Sequence, residues 1–418
     1  MQIVVAGQGY VGLPLAVRAA EVGHRVVGYD VDAHRVQQLA AGQSYVEDVA
    51  SDRLRAVLDS GVYSAAADAA ALAGFDIAVI TVPTPLRDGV PDLTYIETCA
   101  RTLGGHLRPG ATVVLESTTY PGTTEELLLP ILEEASGLKA GEDFQVGFSP
   151  ERIAPGNKRF SFEGTPKVVS GIDAKSLDVI KAFYDGIFQT TVPVSGPKVA
   201  ELAKLLENTF RLVNISMVNE LATLTERLDV NIWEAIDAAA TKPFGFTRFT
   251  PGPGVGGHCL PVDPLFLSWK IRESLGIPFR FVELADDVNR RMPDYVVQRV
   301  VEALDKRGMT IVGSRVLLLG LTYKYNATDL RNSPSARVAE LLITLGAQVR
   351  GADPNVPDSD TGKLNVRRVD ASPKELAASD AVVLLMDHTR FDLAMIEEHA
   401  PYVLDCRNRL AGANVETL

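Results

Sequence analysis

The sequence predicts an α/β protein with two Rossmann-like, doubly wound domains joined by a long central helix and a helical dimerisation region. Three observations lead to this prediction. Short apolar strands alternate with helical segments in the first part of the chain, and the same alternation returns in the last part. Between them, Lys198–Val230 carries apolar residues at helical spacing without glycine or proline. We therefore expect a first Rossmann domain over residues 1–197, a central helical domain with a cysteine-bearing loop over 198–300, and a second Rossmann-like domain over 301–418.

The composition is ordinary for a soluble globular protein and narrows the classes of partner. The 418 residues are 46% hydrophobic and 22% charged, with a net charge of −12, which argues against nucleic acid or an anionic membrane as a partner. Three widely spaced cysteines form neither a disulfide framework nor a zinc-binding pattern. Met1 leads directly into an apolar strand, and no apolar run is long enough to span a bilayer. We therefore expect a cytoplasmic protein without a metal ion.

The chain opens with a strand, a glycine-rich turn, a helix and a second strand over Gln2–Asp32. In this arrangement Gly7 permits the tight turn, Gly9 lets a pyrophosphate approach the backbone, and Gly12 lets the helix pack closely on the strand. The helix N-terminus then offers amide groups to the phosphates. The pattern predicts a dinucleotide site, and the alternatives are another nucleotide or FAD. Further candidates in this turn are Tyr10 and Val11.

An acidic residue at the end of the second strand indicates which dinucleotide binds. Asp30 follows Gly12 by eighteen residues. A carboxylate at this position accepts hydrogen bonds from a ribose diol and repels a 2′-phosphate, which favours NAD over NADP. Arg35 could contact a phosphate, pair with Asp30, or be a solvated helix residue.

Later strands of the first domain end in polar residues, where ligands bind in parallel sheets. The segment Asp76–Pro85 is a buried strand followed by a proline-fixed loop that contains Thr84. The segment Ala111–Glu126 ends in three hydroxyl-bearing residues, of which Thr118 is a candidate for the site. We expect Thr123 or Thr124 to cap the next helix instead.

A carboxylate follows one more predicted strand. The segment Phe144–Asn157 carries Glu151 and Arg152 in the loop after this strand. Glu151 is a candidate base, and the alternative is that it forms an ion pair with its neighbour Arg152.

Two polar residues share one face of the central helix. Lys204 and Asn208 are four residues apart, so their side chains project side by side. An ammonium and an amide directed at one point could stabilise a developing oxyanion. The alternative is a solvated lysine on the outer face of an amphipathic helix. The helix is also long enough to pack against a copy of itself, which makes a dimer an expected partner.

The segment Pro251–Phe266 contains four glycines, four prolines and Cys259, and we expect it to be a loop. His258 precedes the thiol, and Asp263 follows it by four residues. A thiol becomes a nucleophile when its ionised form is stabilised or when a base lies nearby. The alternative is that Cys259 is a small buried apolar residue.

The last domain alternates strand and helix again but has no second GxGxxG, so a second dinucleotide is not expected. Basic residues at or after its strand ends suggest phosphate binding in an otherwise acidic protein. These residues are Lys324, Arg331 and Arg407. The two Rossmann-like halves would leave a cleft between them that is lined by the Cys259 loop.

Taken together, these segments resemble the nucleotide-sugar 6-dehydrogenases, the family of UDP-glucose dehydrogenase. The resemblance runs from Ile3 to about Arg407, and ATKPFGF followed by PGPGVGGHC is most similar to the UDP-N-acetylglucosamine branch. The UDP-glucose enzymes more often have a different residue in place of His258 and a lysine in place of Val262. The motifs that carry the resemblance are GQGYVGLPLA, VPTP, ESTTYPGTTEE, FSPERIAPGN, ELAKLLENTFRLVNISMVNEL, GPGVGGHCLPVDP and GLTYKYNATDLRNSPS.

The resemblance implies an NAD-dependent, four-electron oxidation of the C6 hydroxyl of a nucleotide-diphosphate hexose to a carboxylate, in polysaccharide biosynthesis. The sugar would be glucose or an N-acetylhexosamine, and the nucleotide UDP or dTDP. Cys259 would capture the aldehyde as a thiohemiacetal and carry the thioester formed by the second oxidation. Residues 1–197 would bind NAD, and residues 301–418 would bind the nucleotide sugar.

The resemblance also implies roles for single residues. Lys204 and Asn208 would stabilise the oxyanion, Asp263 and Thr118 would position water or relay a proton, and Glu151 would be a base for hydrolysis. Arg331, Thr84 and Thr118 would contact the cofactor. The residues expected to contact the substrate are Glu151, Arg152, Lys204, Asn208, Phe249, Gly252, Gly256, Lys324 and Arg407.

The chain departs from the family pattern at several positions. Pro155 replaces a second glutamate, and Asn332 replaces an acidic residue that often follows the arginine matching Arg331. No clear equivalent exists for the arginine that the neighbouring subunit supplies in UDP-glucose enzymes, and Arg248 is a weak substitute. The alternative activity is a two-electron NAD-dependent hydroxyacid dehydrogenase of similar fold, which needs the lysine and asparagine but no thiol. A non-catalytic NAD-sensing protein is a second alternative.

Overall fold

The computed structural model describes residues 1–153, 160–357, 364 and 366–418. Their contacts form two compact units. The first comprises residues 1–207 and 269–276, and the second comprises residues 208–268 and 277–418. The three domain boundaries expected from the sequence remain a prediction.

The first unit contains an eight-stranded sheet with helices between its strands. In order, its strands are β1 (Gln2–Ala6), β2 (Arg25–Tyr29), β3 (Tyr63–Ala66), β4 (Ile77–Ile80), β7 (Thr112–Leu115), β8 (Gln145–Phe148), β9 (Lys167–Gly171) and β10 (Thr191–Pro193), with a small hairpin of β5 (Leu86–Arg87) and β6 (Val90–Pro91) after β4. The helices are α1 (Gly12–Glu21), α2 (Ala33–Ala40), α3 (Ser51–Asp59), α4 (Thr94–Gly104), α5 (Leu129–Ser136), α6 (Ala174–Asp185) and the beginning of α7 (Pro197–Thr225).

The strand order of this sheet places a ligand site at its centre. The order is β10-β9-β8-β7-β4-β1-β2-β3, and all neighbours pair in parallel except β8 with β9. The chain changes direction across the sheet between β1 and β4, and ligands bind at the carboxyl ends of strands at such a point. Apolar residues of the strands are buried on both faces, for example Ile3 and Val5 on one face and Val4 and Ala6 on the other.

The second unit contains most of α7, further helices and a six-stranded sheet. Its helices are α8 (Ile232–Ala240), α9 (Cys259–Leu275, of which residues 259–268 belong here), α10 (Arg280–Lys306), α11 (Pro334–Thr344), α12 (Pro373–Ala377) and α13 (Leu393–His399). Its strands are β11 (Arg315–Leu319), β12 (Gln348–Ala352), β13 (Arg367–Arg368), β14 (Ala381–Leu384), β15 (Val403–Asp405) and β16 (Val415–Thr417). Their order, β13-β12-β11-β14-β15-β16, is parallel throughout and changes direction between β11 and β14.

The predicted fold class is confirmed, because in both units helices alternate with the strands of a parallel or largely parallel sheet, as in Rossmann folds. The central helix is also present, although it ends at Thr225 and not near Val230. A short 3₁₀ turn follows, and Asp229 adopts a left-handed conformation with φ of 55° that ends the helical run. The last residues of the predicted segment Phe144–Asn157, including Pro155, lie outside the described residues.

The predicted loop Pro251–Phe266 is only half correct, because Cys259 is the first residue of α9. The glycine-rich half has no regular structure, and Gly254 and Gly257 have positive φ values of 120° and 88°. Pro261 lies in the first turn of α9, where the missing N–H group would have no helical acceptor. Pro264 lies inside the helix. The prolines at 261 and 264 therefore did not prevent the second half of the predicted loop from forming a helix.

Candidate active site

The glycine-rich turn after β1 has the geometry of a dinucleotide site. Gly7 has a φ of 96°, and a Cβ atom there would lie 2.8 Å from the Thr81 carbonyl oxygen. A Cβ atom on Gly12, the first residue of α1, would lie 1.8 Å from the Gly7 oxygen, whereas one on Gly9 would meet nothing within 4 Å. The first and third glycines are thus needed for packing, and the second leaves open space for a phosphate. Beside them, Tyr10 is exposed and Val11 is the N-cap residue of α1.

Asp30 lies directly after β2 and is only 6% exposed. Its Oδ2 atom accepts a hydrogen bond of 2.9 Å from the amide of Gln8, and its Oδ1 atom accepts one of 3.0 Å from the amide of Asp32. Arg35 lies 3.7 Å from Asp30 and 3.5 Å from Asp32, so it is engaged in ion pairs. These residues fit the adenosine ribose and pyrophosphate of NAD, with the glycine turn as the phosphate cradle.

The hydroxyl-bearing residues after β4 and β7 occupy the carboxyl ends of their strands. Thr84 is buried and Thr118 is half-buried, and the neighbouring Ser117 donates a hydrogen bond of 2.7 Å to the carbonyl of Val82. Thr123 occupies the N-cap position of the helical segment that begins at Thr124, as expected, but its side chain makes no capping hydrogen bond. Thr123 donates to the carbonyl of Tyr120, and the following residue, Thr124, is held by Glu201 of α7.

Glu201 was missed by the sequence reasoning. Its buried carboxylate accepts hydrogen bonds from the amide of Gly122 (2.6 Å) and from the amide and hydroxyl of Thr124 (2.9 and 2.7 Å). These hydrogen bonds hold the turn after β7 against α7. Glu201 lies three residues before Lys204, a candidate catalytic residue on the same helix.

Glu151 and Lys204 lie together in the first unit. Glu151 is 8% exposed, and the Nζ atom of Lys204 donates a hydrogen bond to its carbonyl oxygen. Lys204 is half-buried, not fully buried. The alternative of an ion pair between Glu151 and Arg152 was wrong, because Arg152 pairs with Glu207 at 2.7 Å.

A buried polar cluster lies behind Glu151, and sequence reasoning missed all of it. The Nζ atom of Lys167 is 3.0 Å from Glu116 and 3.7 Å from Glu151, and the hydroxyl of Tyr184 donates to Glu116. Burial raises the pKa of Glu116, and the positive charge of Lys167 opposes this effect. Burial and the neighbouring Glu116 also raise the pKa of Tyr184 well above its usual value.

In the second unit, Asn208 and Asp263 are joined directly. The Nδ2 atom of Asn208 donates a hydrogen bond of 2.6 Å to the Oδ2 atom of Asp263, and both side chains are buried. Asp263 lies one turn after Cys259 on α9, and Cys259 itself is exposed. The interpretation of Cys259 as a buried apolar residue was therefore wrong. A thiol in the first turn of a helix lies beside amide groups that favour its ionised form.

The glycine loop before Cys259 rests on the segment that follows β11. Cβ atoms added at Gly256 or Gly257 would lie 2.5 Å from the side chain of Tyr323, so only glycine fits at these two positions. The amide of Gly257 donates to the carbonyl of Arg331 (3.0 Å), and the Nδ2 atom of Asn332 donates to the carbonyl of Gly257 (3.0 Å). The departure from the family pattern at position 332 therefore supplies a hydrogen-bond donor to the glycine-rich loop before Cys259.

The surroundings shift the pKa values of His258 in this loop and of Tyr323, whose ring packs against it. Burial, together with the positive charge of Arg331, lowers the pKa of His258. Burial, together with the negative charge of Asp329, raises the pKa of Tyr323 to about 12. The imidazole next to the thiol is therefore favoured in its neutral form.

Some of the predicted substrate-binding residues of the second unit lie in or against the glycine-rich loop. Phe249 packs against the ring of Phe210 at a centroid distance of 5.8 Å. A Cβ atom on Gly252 would lie 2.9 Å from the Nη1 atom of Arg407, whose Nε atom donates to the carbonyl of Leu385 (2.7 Å). Burial lowers the pKa of Arg407. This arginine therefore lies against the glycine-rich loop at Gly252.

The other basic candidates have different surroundings. Lys324 is half-buried in the segment after β11, and its carbonyl accepts a hydrogen bond of 3.1 Å from Thr322. Arg331 is exposed and forms an ion pair with Asp329 at 2.6 Å. Arg248, the weak substitute for a missing arginine, pairs with Asp237 at 2.7 Å.

An amide network of α7 and α10 also supports this loop, and no sequence signal indicated it. Asn219 accepts a hydrogen bond of 2.9 Å from the amide of Gly252 and donates to Asn289 at 2.8 Å. Asn289 in turn donates to Ser216 at 2.6 Å.

Among the described residues, we find no cluster of potential metal ligands and no helix long and apolar enough to cross a membrane.

The chain matches three family models that together cover most of its length. Residues 1–188 match the NAD-binding domain of the UDP-glucose/GDP-mannose dehydrogenase family, residues 198–291 match its central domain, and residues 317–412 match its UDP-binding domain.

Named relatives agree with these matches. The chain is 35% identical to the UDP-N-acetyl-D-mannosamine dehydrogenase of Pyrococcus horikoshii, over 94% of this chain and 90% of that protein. It is 37% identical to the UDP-N-acetyl-D-glucosamine 6-dehydrogenase of Pseudomonas aeruginosa, over 94% and 91%. Among solved structures, a UDP-D-ManNAc dehydrogenase from Pyrococcus horikoshii superposes with a TM-score of 0.91 at 33% identity, covering 100% of this chain and 98% of that one.

Proposed function

The chain belongs to the UDP-glucose/GDP-mannose dehydrogenase family, and from this premise we propose that it oxidises the C6 hydroxyl of a UDP-linked N-acetylhexosamine to the uronic acid through a thioester on Cys259. It is an NAD-dependent nucleotide-sugar 6-dehydrogenase. The observation that carries the thioester route is an exposed thiol at the start of α9, one turn from the buried pair of Asn208 and Asp263. The relatives named for UDP-N-acetylmannosamine and UDP-N-acetylglucosamine support the choice of sugar.

NAD is the cofactor, and the turn after β1 would hold it. Gly9 leaves room for the pyrophosphate, the first amides of α1 face it, and the Asp30 carboxylate would accept from the adenosine ribose. When bound, NAD would supply the hydride acceptor for both oxidations. Thr84 and Thr118 lie at strand ends of the same unit and would line this site, and Arg331 would add a positive charge.

Cys259 would connect the two oxidations covalently. The Cys259 sulfur adds to the carbon of the aldehyde formed by the first oxidation, and the thiol proton is transferred to the aldehyde oxygen, which gives a thiohemiacetal. The second oxidation removes the remaining C6 hydrogen and the hydroxyl proton and leaves a thioester. Water then adds to the thioester carbonyl, the carbon–sulfur bond breaks, and a carboxylate and the Cys259 thiol are formed.

The polar residues around these steps would stabilise charge and move protons. Lys204 and Asn208, one turn apart on α7, would stabilise the oxyanion at C6. Asp263 orients the Asn208 amide through the 2.6 Å hydrogen bond. Glu151 would take the proton from the attacking water, and Thr118 would help to place that water.

The remaining candidates would bind the rest of the nucleotide sugar. Lys324 and Arg407 would contact the diphosphate or the sugar, with Arg407 held against Gly252. Phe249, Gly252 and Gly256 would contact the substrate through a ring face and backbone amides. Glu151 and Arg152 are further candidates for contact with the sugar.

An exposed apolar stripe on α7 supports a homodimer. Phe210, Met217, Leu221 and Leu224 are each 41–50% exposed and recur at spacings of three, four and seven residues. A second copy of the chain carries the same stripe, so a two-fold axis would bury both. Aqueous exposure of this much apolar surface would otherwise be unfavourable.

The decisive experiment measures how many NADH molecules are formed for each sugar molecule consumed. UDP-glucose, dTDP-glucose, UDP-N-acetylglucosamine and UDP-N-acetylmannosamine would be compared with wild-type protein and with Cys259→Ala. We expect two NADH per molecule of a UDP-N-acetylhexosamine, and loss of this stoichiometry in the variant. One NADH per sugar that does not depend on Cys259 would instead indicate a two-electron alcohol dehydrogenase. Cys99→Ala, which changes a buried cysteine of the first unit, is the matched control.

A further inference from the structure

Gln8 lies between the first two glycines of the turn after β1, and each of its polar groups has a partner in the first unit. The residue is fully buried. Its amide donates to the Oδ2 atom of Asp30 (2.9 Å), and its carbonyl oxygen accepts a hydrogen bond of 2.6 Å from the hydroxyl of Tyr45. Its Nε2 atom donates to the carbonyl of Val5 (2.8 Å), and its Oε1 atom accepts from the hydroxyl of Tyr63 (2.9 Å). Both the backbone and the side chain of Gln8 are therefore held in place.

Strand β2 leaves room for the contact between Gln8 and Tyr63. A Cβ atom on Gly28 would lie 2.5 Å from the Oε1 atom of Gln8 and 2.5 Å from the hydroxyl of Tyr63, so only glycine fits there while this pair is present. Tyr63 is the first residue of β3 and is 3% exposed. A buried amide and a buried phenol are each unfavourable without a partner, and here each satisfies the other.

Tyr45 reaches the turn from the segment between α2 and α3. It is half-buried, and its ring lies under the Arg35 guanidinium at 5.8 Å, while Arg35 lies 3.7 Å from Asp30. Burial, together with the negative charge of Asp30, raises the pKa of Tyr45 to about 12. The Tyr45 hydroxyl is thus protonated at neutral pH and can donate to the Gln8 carbonyl.

The hydrogen bond from Tyr45 also sets the direction of the next amide. The carbonyl of Gln8 and the N–H group of Gly9 belong to one planar trans peptide, so they point in opposite directions. Within the described part of the chain, the Gly9 amide has no hydrogen-bond acceptor, and the space beside Gly9 is open. This amide therefore remains available to an anionic ligand of the turn.

We propose that Tyr45 and Tyr63 are positioning residues for NAD, which act through Gln8 to hold the glycine turn in the conformation that receives the pyrophosphate. This role requires no contact between either tyrosine and the cofactor. A turn that is already fixed loses little conformational freedom on binding, so part of the affinity for NAD depends on the two hydroxyls. The inference rests on NAD binding in this turn, and it does not depend on the Cys259 thioester route.

Tyr45→Phe tests the inference because it removes one hydroxyl and keeps the ring under Arg35. Isothermal titration calorimetry without a sugar substrate would give the Kd values of NAD, ADP-ribose and UDP, and ligand-observed NMR would give that of adenosine, which has no phosphate. We expect the Kd values of NAD and ADP-ribose to rise about tenfold in the variant. Those of adenosine and UDP should not change. Tyr95→Phe, which removes an exposed hydroxyl of α4, is the matched control.

Two further variants test whether Tyr63 acts through Gln8. Gln8→Met keeps the length of the side chain and removes both of its hydrogen bonds, so it should also raise the Kd of NAD about tenfold. Tyr63→Phe should weaken NAD binding when Gln8 is present. Combined with Gln8→Met, it should cause no further loss, because its partner is already absent.

An unchanged Kd of NAD in both Tyr45→Phe and Gln8→Met would overturn the inference. Equal weakening of adenosine and NAD would also overturn it, because the effect would then lie at the ribose and not at the turn. Additive losses in the double variant would show that Tyr63 does not act through Gln8. If wild type binds neither NAD nor ADP-ribose, the assigned cofactor site fails and the inference fails with it. One NADH per sugar without dependence on Cys259 would refute the thioester route and leave this inference intact.

Discussion

Asn208 on α7 donates a hydrogen bond of 2.6 Å to Asp263 on α9, and both residues are buried. The bond fixes which end of the Asn208 side chain is the donor and directs the carbonyl end away from Asp263. It also ties the long helix to the helix that begins with Cys259. A change at Asp263 should therefore affect both the chemistry of the thiol and the stability of the second unit.

Asp263→Asn should separate these two effects. The new amide can still accept from Asn208, so the fold should be retained, while the loss of the charge should lower kcat about 100-fold. Asp263→Ala removes the acceptor as well and should lower the free energy of unfolding by about 1–3 kcal/mol. Steady-state kinetics and urea unfolding would measure both variants. Asp287→Asn, which changes an exposed residue of α10, is the control, and wild-type activity in Asp263→Asn would contradict the role.

The three cysteines should differ sharply in reactivity. Burial raises the pKa of Cys99 to about 12, and burial together with the charge of Asp405 raises the pKa of Cys406 to about 12, whereas Cys259 is exposed. Because the thiolate is the reactive form, iodoacetamide at pH 8 should modify Cys259 alone in the folded protein. Peptide mass spectrometry would identify the modified residue. In guanidinium chloride all three should react, and equal labelling of Cys99 in the folded protein would contradict the prediction.

Asp30→Ala should weaken NAD binding and relax the rejection of NADP. The variant removes an acceptor for the ribose diol and the negative charge that repels a 2′-phosphate. We expect the KM for NAD to rise about tenfold, with a smaller change for NADP. Initial rates with each cofactor provide the measurement. Asp68→Asn, at an exposed position of the same unit, is the control, and an unchanged ratio of the two KM values would remove the ribose assignment.

Local patterns in the sequence were sufficient for several parts of the fold and the site. The glycine turn, Asp30 at the end of β2 and the shared face of Lys204 and Asn208 all follow from spacings within one or two elements. The start of α9 at Cys259 did not follow from local propensity, because a glycine- and proline-rich stretch is typical of a loop. Packing of α9 outweighs that propensity, and the helix begins where prolines are tolerated.

The buried cluster behind Glu151 could not be read from the sequence for a different reason. Glu116 and Tyr184 are 68 residues apart and meet only because β7, β8 and β9 are neighbours in the sheet and α6, which carries Tyr184, packs against them. A lone lysine such as Lys167 at the start of a short strand is typical of a solvated edge, and only its accessibility in the folded structure shows that it is buried. Burial and charge pairing over such separations depend on tertiary structure.

Asp353 should make the stability of the second unit depend on pH. Burial alone would raise its pKa, but hydrogen bonds from His388 and from the amides of Asn355 and Leu321 outweigh burial, so the pKa is lowered from 3.8. A lowered pKa means that the stabilisation is present above the unfolded value and is lost as the pH falls through the folded value, below 3.8.

Asp353→Asn should accordingly lower the free energy of unfolding by about 1–3 kcal/mol at pH 7. The difference from wild type should shrink as the pH falls towards 3, because the wild-type carboxylate becomes protonated. Differential scanning calorimetry over this range would measure it. Asp370→Asn, at an exposed position after β13, is the control, and a difference that does not vary with pH would exclude the assigned cause.

Leu221→Glu should convert a dimer into a monomer. Leu221 lies in the exposed apolar stripe of α7, and in a symmetric dimer each copy would place its own glutamate in an apolar interface, where a charge is unfavourable. Sedimentation velocity would show the change in mass. Glu220→Gln alters the adjacent exposed residue, which lies outside the stripe, and should leave the dimer intact. If wild type sediments as a monomer, or if Leu221→Glu sediments as a dimer, the apolar stripe of α7 is not a dimer interface.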